Sequence, residues 1–128
     1  MRVSLKRTDT FTPEWNGNQE LPEEEQVRFH HKFLGSADRK KYIYTKPIKF
    51  SQGDDPSKQI SDLEVVTDGR GIAMKTVTSI ENLEVEIVDG TVAKIDDVEV
   101  FYRYSLNDLA AELERYMLEC TAVVDSGN

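Results

Sequence analysis

The sequence is short of the residues that usually advertise chemistry. It has a single cysteine, Cys120, so no disulfide can form within the chain, which fits a reducing compartment. It has two histidines, the adjacent pair His30 and His31. Neighbours on a regular strand point to opposite faces and cannot aim at one metal ion, and a zinc site needs about four ligands. No apolar run approaches the roughly eighteen residues of a membrane span. The start, Met1-Arg2-Val3-Ser4-Leu5-Lys6, lacks the apolar stretch of a secretory signal, so a soluble chain made in the cytoplasm is expected. Positive charge is also scarce. Sixteen Lys and Arg face 24 Asp and Glu, for a net charge of −8, which argues against the basic footprint of a duplex DNA binder.

What is present suits one domain. The chain has 128 residues, 38% apolar and 31% charged, enough for a modest core and too apolar for a disordered segment. The charge is unevenly placed: residues 1–50 hold ten Lys and Arg against seven acids, and residues 51–128 hold six against seventeen, giving +3 and −11. Such a dipolar chain can stack head to tail or meet a basic partner; ordinary solubilising charge is the plainer reading.

Residues 1–25 read as an extended N-terminal arm, with Phe11, Pro13 and Trp15 among polar residues, a turn at Asn16-Gly17-Asn18, and Leu21-Pro22 before three glutamates. A single α+β domain is expected over 26–124 and a frayed tail over 125–128. Alternation of Val27, Phe29, His31 and Phe33 predicts a strand over 26–34. Ser36 is a candidate cap for one or two helical turns, competing with the strand propensity of Tyr42-Ile43-Tyr44-Thr45, and Pro47 confines any strand there to an edge. A loop is expected at 51–59, a short strand at 60–66 and a turn at Asp68-Gly69-Arg70-Gly71. Ile72 to Ile80 fits both a helix and a strand, with the glycines and threonines favouring the strand. Leu83, Val85 and Ile87 alternate before Asp89-Gly90, predicting a hairpin returning through Val92 and Ile95. Val98, Val100 and Tyr102 read as a further strand. The clearest element is a helix from Leu106 to Cys120 capped by Ser105, with Leu106, Leu109, Ala110, Leu113, Tyr116, Met117 and Cys120 on one stripe.

The nucleophile and acid–base candidates are weak. Cys120 sits on the apolar stripe, where a thiol is buried and inert. Gly69-Arg70-Gly71 matches neither a dinucleotide fingerprint nor a phosphate loop. Asp54-Asp55, Asp96-Asp97 and Glu23 to Glu25 are adjacent carboxylates in expected loops rather than a pair in contrasting environments. Aromatics interleave with cations from Arg28 to Lys49, a pattern used on single-stranded nucleic acid, but the alternation sends several of them to the core. No catalytic, cofactor or metal residue is assigned.

Two stretches carry a resemblance. One is Phe11-Thr12-Pro13-Glu14-Trp15-Asn16-Gly17-Asn18-Gln19-Glu20-Leu21-Pro22 leading through Glu25-Gln26-Val27 into a strand. The other is Val77-Thr78-Ser79-Ile80-Glu81-Asn82-Leu83-Glu84-Val85, then a turn and the terminal helix containing Leu109 to Leu118. Together they resemble the small acidic tail-morphogenesis proteins of long-tailed phages and prophages, tail assembly chaperones among them. The resemblance covers about half the chain and carries no catalytic residue. It implies a non-catalytic protein that binds phage tail or neck partners (tape measure, tube or connector subunits) in the host bacterial cytoplasm or within the virion, with self-association as a further possibility. A bacterial interaction module outside phages, a small enzyme and a single-strand binder are the rival readings. The expected fold is α+β: a small, mainly antiparallel sheet with the last helix on one face and the N-terminal arm extended. Phe11, Trp15 and Leu21 are the candidate partner-binding residues, acting as aromatic and apolar anchors; the alternative is that they fold back on their own domain.

Overall fold

In a strand with one face on the core, every second side chain is buried, and Val27, Phe29 and His31 are. They lie on and just before β2 (Arg28–Lys32), the middle strand of a three-stranded antiparallel sheet between β1 (Thr8–Phe11) and β5 (Val77–Glu81). The computed structural model describes residues 1–4, 6–49 and 61–120. The loop expected at 51–59 and the tail at 125–128 lie outside the described residues. On β5 the register shifts between His30 opposite Ser79 and His31 opposite Val77. The extra residue, Thr78, changes the phase of the strand, so Val77 and Ile80 both reach the core although they are three apart.

Two two-stranded ribbons flank this sheet. β3 (Ile43–Lys49) pairs antiparallel with β4 (Ser61–Thr67), and β6 (Leu83–Glu86) with β7 (Val92–Ile95). Leu83 and Ile95 are opposite each other and buried, so the second ribbon lays one face on the core. Two short helical elements follow these ribbons and correct the sequence reading. Asp68 accepts a hydrogen bond from the Gly71 N–H at 2.8 Å and caps α2 (Gly69–Thr76), where a turn was expected. The stretch Ile72 to Ile80 is therefore both alternatives in succession, helix to Thr76 and strand from Val77. Val98 to Tyr102 is α3 (Val98–Arg103) rather than a strand: the Asp97 carboxylate caps it through the Glu99 and Val100 N–H groups. Its buried pair Val98 and Phe101 has helical spacing, which alternation over five residues cannot exclude.

The terminal helix α4 spans Asn107–Glu119 and buries Leu109, Leu113 and Met117. Leu106, not Ser105, occupies the cap position, with no side-chain hydrogen bond. Each of those three side chains contributes about 1.5–3 kcal/mol by leaving water. α4 covers the sheet through Tyr116, whose ring stacks on Phe11 at 4.2 Å and meets His31 edge-on. It packs on α2 closely enough that a Cβ at Gly69 would come within 2.8 Å of the Glu114 carbonyl oxygen. One at Gly71 would strike Asp68 and Tyr42. The Gly-Arg-Gly sequence is thus a packing device. The last carbonyls of α4 are met from outside: Arg39, at the end of α1 (Ser36–Arg39), donates to the oxygens of Met117, Leu118 and Cys120. A guanidinium there satisfies orphan acceptors and complements the negative end of the helix dipole.

The expected N-terminal arm is the largest correction. Thr8–Phe11 is an edge strand hydrogen-bonded to β2, and the chain then turns back through two short 3-10 segments, Trp15–Glu20 and Glu23–Glu25. Asn16 and Gly17 sit at φ 51° and 70° and reverse its direction. Asn18 holds the loop shut. It is 3% exposed, its amide donates to the Pro13 and Val27 carbonyls, and its side-chain oxygen accepts the Val27 N–H at 2.7 Å. Asn82, at φ 60°, donates to the carbonyls of Glu24 and Gln26 and fastens the far side. The segment is a wrap, and polar side chains close it.

Candidate protein-binding site

The projecting element lies in the middle of the chain. In the β3–β4 ribbon, alternate residues define two faces. Thr45 faces Val65 across the ladder, and Pro47 faces Leu63. On that face Leu63 is 71% and Val65 63% exposed, so an apolar stripe meets water. The opposite face carries Tyr44 beside Val66, then the ion pair of Lys46 with Glu64 at 3.6 Å. Among the described residues, the ribbon is anchored at its base. Ile43 and Tyr42 pack against the core, and the Asp68 N–H donates to the Tyr42 carbonyl at 2.8 Å. Pro47 removes a backbone donor from β3, which leaves β4 as the better edge for strand addition. Neighbouring exposed aliphatic side chains on a two-stranded ribbon make this face a candidate interaction surface.

The three residues selected from sequence are divided. Phe11 and Trp15 are half-buried against the core of their own domain. Leu21 is 44% exposed and heads the segment Leu21-Pro22-Glu23-Glu24-Glu25, in which every residue faces solvent. Leu63, Val65 and Tyr44 were not selected. Their signal was available as matching strand-like runs on either side of the 51–59 turn residues, a hairpin pattern with a long connection.

The titratable groups have structural employment. His31 is 1% exposed. Its Nδ1 lies 3.1 Å from the Lys32 carbonyl and its Nε2 2.7 Å from the Tyr116 hydroxyl. The neutral tautomer protonated at Nδ1 satisfies both, donating to the carbonyl and accepting from the hydroxyl. Burial holds its pKa below the ordinary histidine value. His30 points the other way, 2.9 Å from the Thr10 hydroxyl and 3.0 Å from Glu81. Burial pushes the Cys120 thiol up, away from the thiolate a nucleophile needs. Burial also raises Tyr102 and Glu114, opposed by the Arg70 guanidinium, which lies over the Tyr102 ring at 4.6 Å. Among the described residues, no three His, Cys, Asp or Glu side chains are grouped to hold a metal ion, and no helix is long and apolar enough to cross a membrane.

Two grooves lie at opposite ends of β2. One, about 560 Å³, sits where Arg28 pairs with Glu81 and is lined by Glu23, Glu24, Glu84 and Asp96 with Lys94. The other, about 530 Å³, sits beyond Lys32 and is lined by Lys6, Arg7 and Lys32 around Val3, Phe33 and Leu34. Comparison with protein families, with curated proteins and with solved structures finds no match to this chain.

Proposed function

We propose that the chain is a non-catalytic phage or prophage tail-morphogenesis protein, of the assembly-chaperone or small virion-protein kind, that works by binding other proteins. The observation that supports binding is the β3–β4 ribbon, which carries Leu63 and Val65 into solvent on one face. The tail-assembly setting rests on the sequence resemblance alone. An apolar ribbon whose β4 edge is unpaired among the described residues suits a partner that supplies a strand, since ladder hydrogen bonds give affinity and alternate side chains give register. Tube, connector and tape-measure subunits are the partners to try.

The test is co-expression with the tube subunit and the tape-measure protein of the phage or prophage whose genome encodes this chain. The wild type is expected to co-purify with one of them. Leu63→Asp with Val65→Asp is expected to abolish the complex while leaving the melting transition in place. Absence of a complex with any tail protein overturns the tail-assembly reading, and a complex indifferent to the double substitution overturns the ribbon as its site. A bacterial interaction module outside phages is the alternative; a tail-independent partner that binds the same ribbon would select it.

A further inference from the structure

The segment Leu21–Glu25 and the basic groove at the other end of β2 are chemical complements. The segment presents one exposed aliphatic side chain, a proline, and three consecutive exposed glutamates on a short 3-10 turn, with the Glu23 side chain 83% exposed. The groove is lined by three apolar side chains, Val3, Phe33 and Leu34, and three cations, Lys6, Arg7 and Lys32. Some charge is already spoken for: Glu23 pairs with Arg28 at 3.2 Å and Lys6 with Asp9 at 3.1 Å. Those pairs are exposed and weak, so most of the complementarity is available to a partner.

Their placement matters as much as their chemistry. Asn82 ties the acidic turn to the Arg28 end of β2, through the carbonyls of Glu24 and Gln26. At the other end, the Phe33 N–H donates to the Arg7 carbonyl at 3.1 Å and fixes one wall of the groove. The two adjoin opposite ends of one strand, roughly 15 Å apart along its length. A knob and a socket at opposite ends of one strand cannot meet within one copy. Only a second copy can bring them together.

We propose that copies of this chain associate head to tail, with the Leu21–Glu25 turn of one copy seated in the Lys6, Arg7 and Lys32 groove of the next. The contact is heterologous, so it generates a ring where the rotation closes and an open chain where it does not. Leu21 meets the apolar side chains and the glutamates meet the cations, which makes the association dependent on salt. The inference stands independently of the tail-assembly reading, because it concerns only this chain.

Sedimentation velocity on the purified chain tests it. The wild type is expected to grow in average mass with concentration at low salt and to return to monomer at about 0.5 M salt, where exposed charges are screened beyond a few ångströms. Two variants break it separately: Glu23→Lys, Glu24→Lys and Glu25→Lys in one chain, and Lys6→Glu, Arg7→Glu and Lys32→Glu in another. Each is expected to be monomeric alone. An equimolar mixture is expected to associate again in alternation, since each knob then finds an opposite groove, and that recovery also shows that both variants fold. A wild type that stays monomeric at low salt, variants that associate as the wild type does, or a mixture that stays monomeric overturns the proposal.

Discussion

The N-terminal wrap and the β3–β4 ribbon invert what their compositions suggest. The wrap has the lone tryptophan, a phenylalanine and a proline outside any periodic pattern, the composition of a reaching arm. It is instead fastened to its own domain by Asn18, by Asn82 and by the stacking of Phe11 on Tyr116. The ribbon has two lysines, an aspartate, a glutamate and a proline, the composition of a solubilised edge, yet it carries Leu63 and Val65 into water. Whether a segment docks or projects depends on where its backbone hydrogen bonds go. The wrap makes many of its bonds through side-chain amides that reach across the fold, whereas each ribbon strand finds its partner in the other.

Asn18→Ala should have the largest effect on that contrast. It leaves the buried Val27 N–H and the Pro13 carbonyl without partners, and a loss of about 2–4 kcal/mol is expected, read by denaturant unfolding. Phe11→Ala removes the ring between Phe29 and Tyr116 and should cost about 2–3 kcal/mol, below the full range for a buried phenylalanine because the residue is half-exposed. Arg39→Ala uncaps α4 and should cost about 1–2 kcal/mol, with faster amide exchange in the last turn as its local signature. On the ribbon, Leu63→Ser should change stability by less than about 0.5 kcal/mol. A ribbon substitution as costly as Asn18→Ala would erase the distinction between the two regions.

Acidification offers a further test of the wrap side, through His31. Burial depresses its folded-state pKa below the unfolded value, so the unfolded chain takes up the proton first. This contribution to stability is fully present above the unfolded histidine pKa, near 6.5, and is lost as pH falls through the folded one. Denaturant midpoints should fall from pH 7.5 toward the acid side of about 6.5, and His31→Gln should flatten that slope.

Much of the fold was legible because local and tertiary signals agreed. The α4 stripe and the β2 alternation each put period and burial in phase, and the β6–β7 hairpin does so at Leu83 and Ile95, while Ile87 and Val92 stand exposed. The failures came where they diverged. Val98 and Phe101 satisfy two periods at once over a short window, and the Asp97 cap decides between them. The Thr78 bulge sets Val77 and Ile80 at a spacing that no strand pattern contains. Trp15 could be placed against its own domain or against a partner from sequence, because no periodic segment claimed it; it is half-buried against its own core. Of the candidate binding residues, Leu21 is at the surface, Phe11 and Trp15 are half-buried, and Leu63 and Val65 were hidden within an ordinary short strand. Composition does not report which face of a ribbon lacks a neighbour.

On the proposed reading, the ribbon binds the foreign partner, the Phe11–Asn18 part of the wrap builds the domain, and the Leu21–Glu25 turn meets only another copy. Hydrogen exchange of the chain, free and mixed with whichever candidate partner is found to co-purify with it, tests this directly. The prediction is that amides of 43–49 and 61–67 slow by about tenfold or more on mixing while those of 12–27 keep their free-state rates. Slowing confined to 12–27, with the ribbon unchanged, would contradict it.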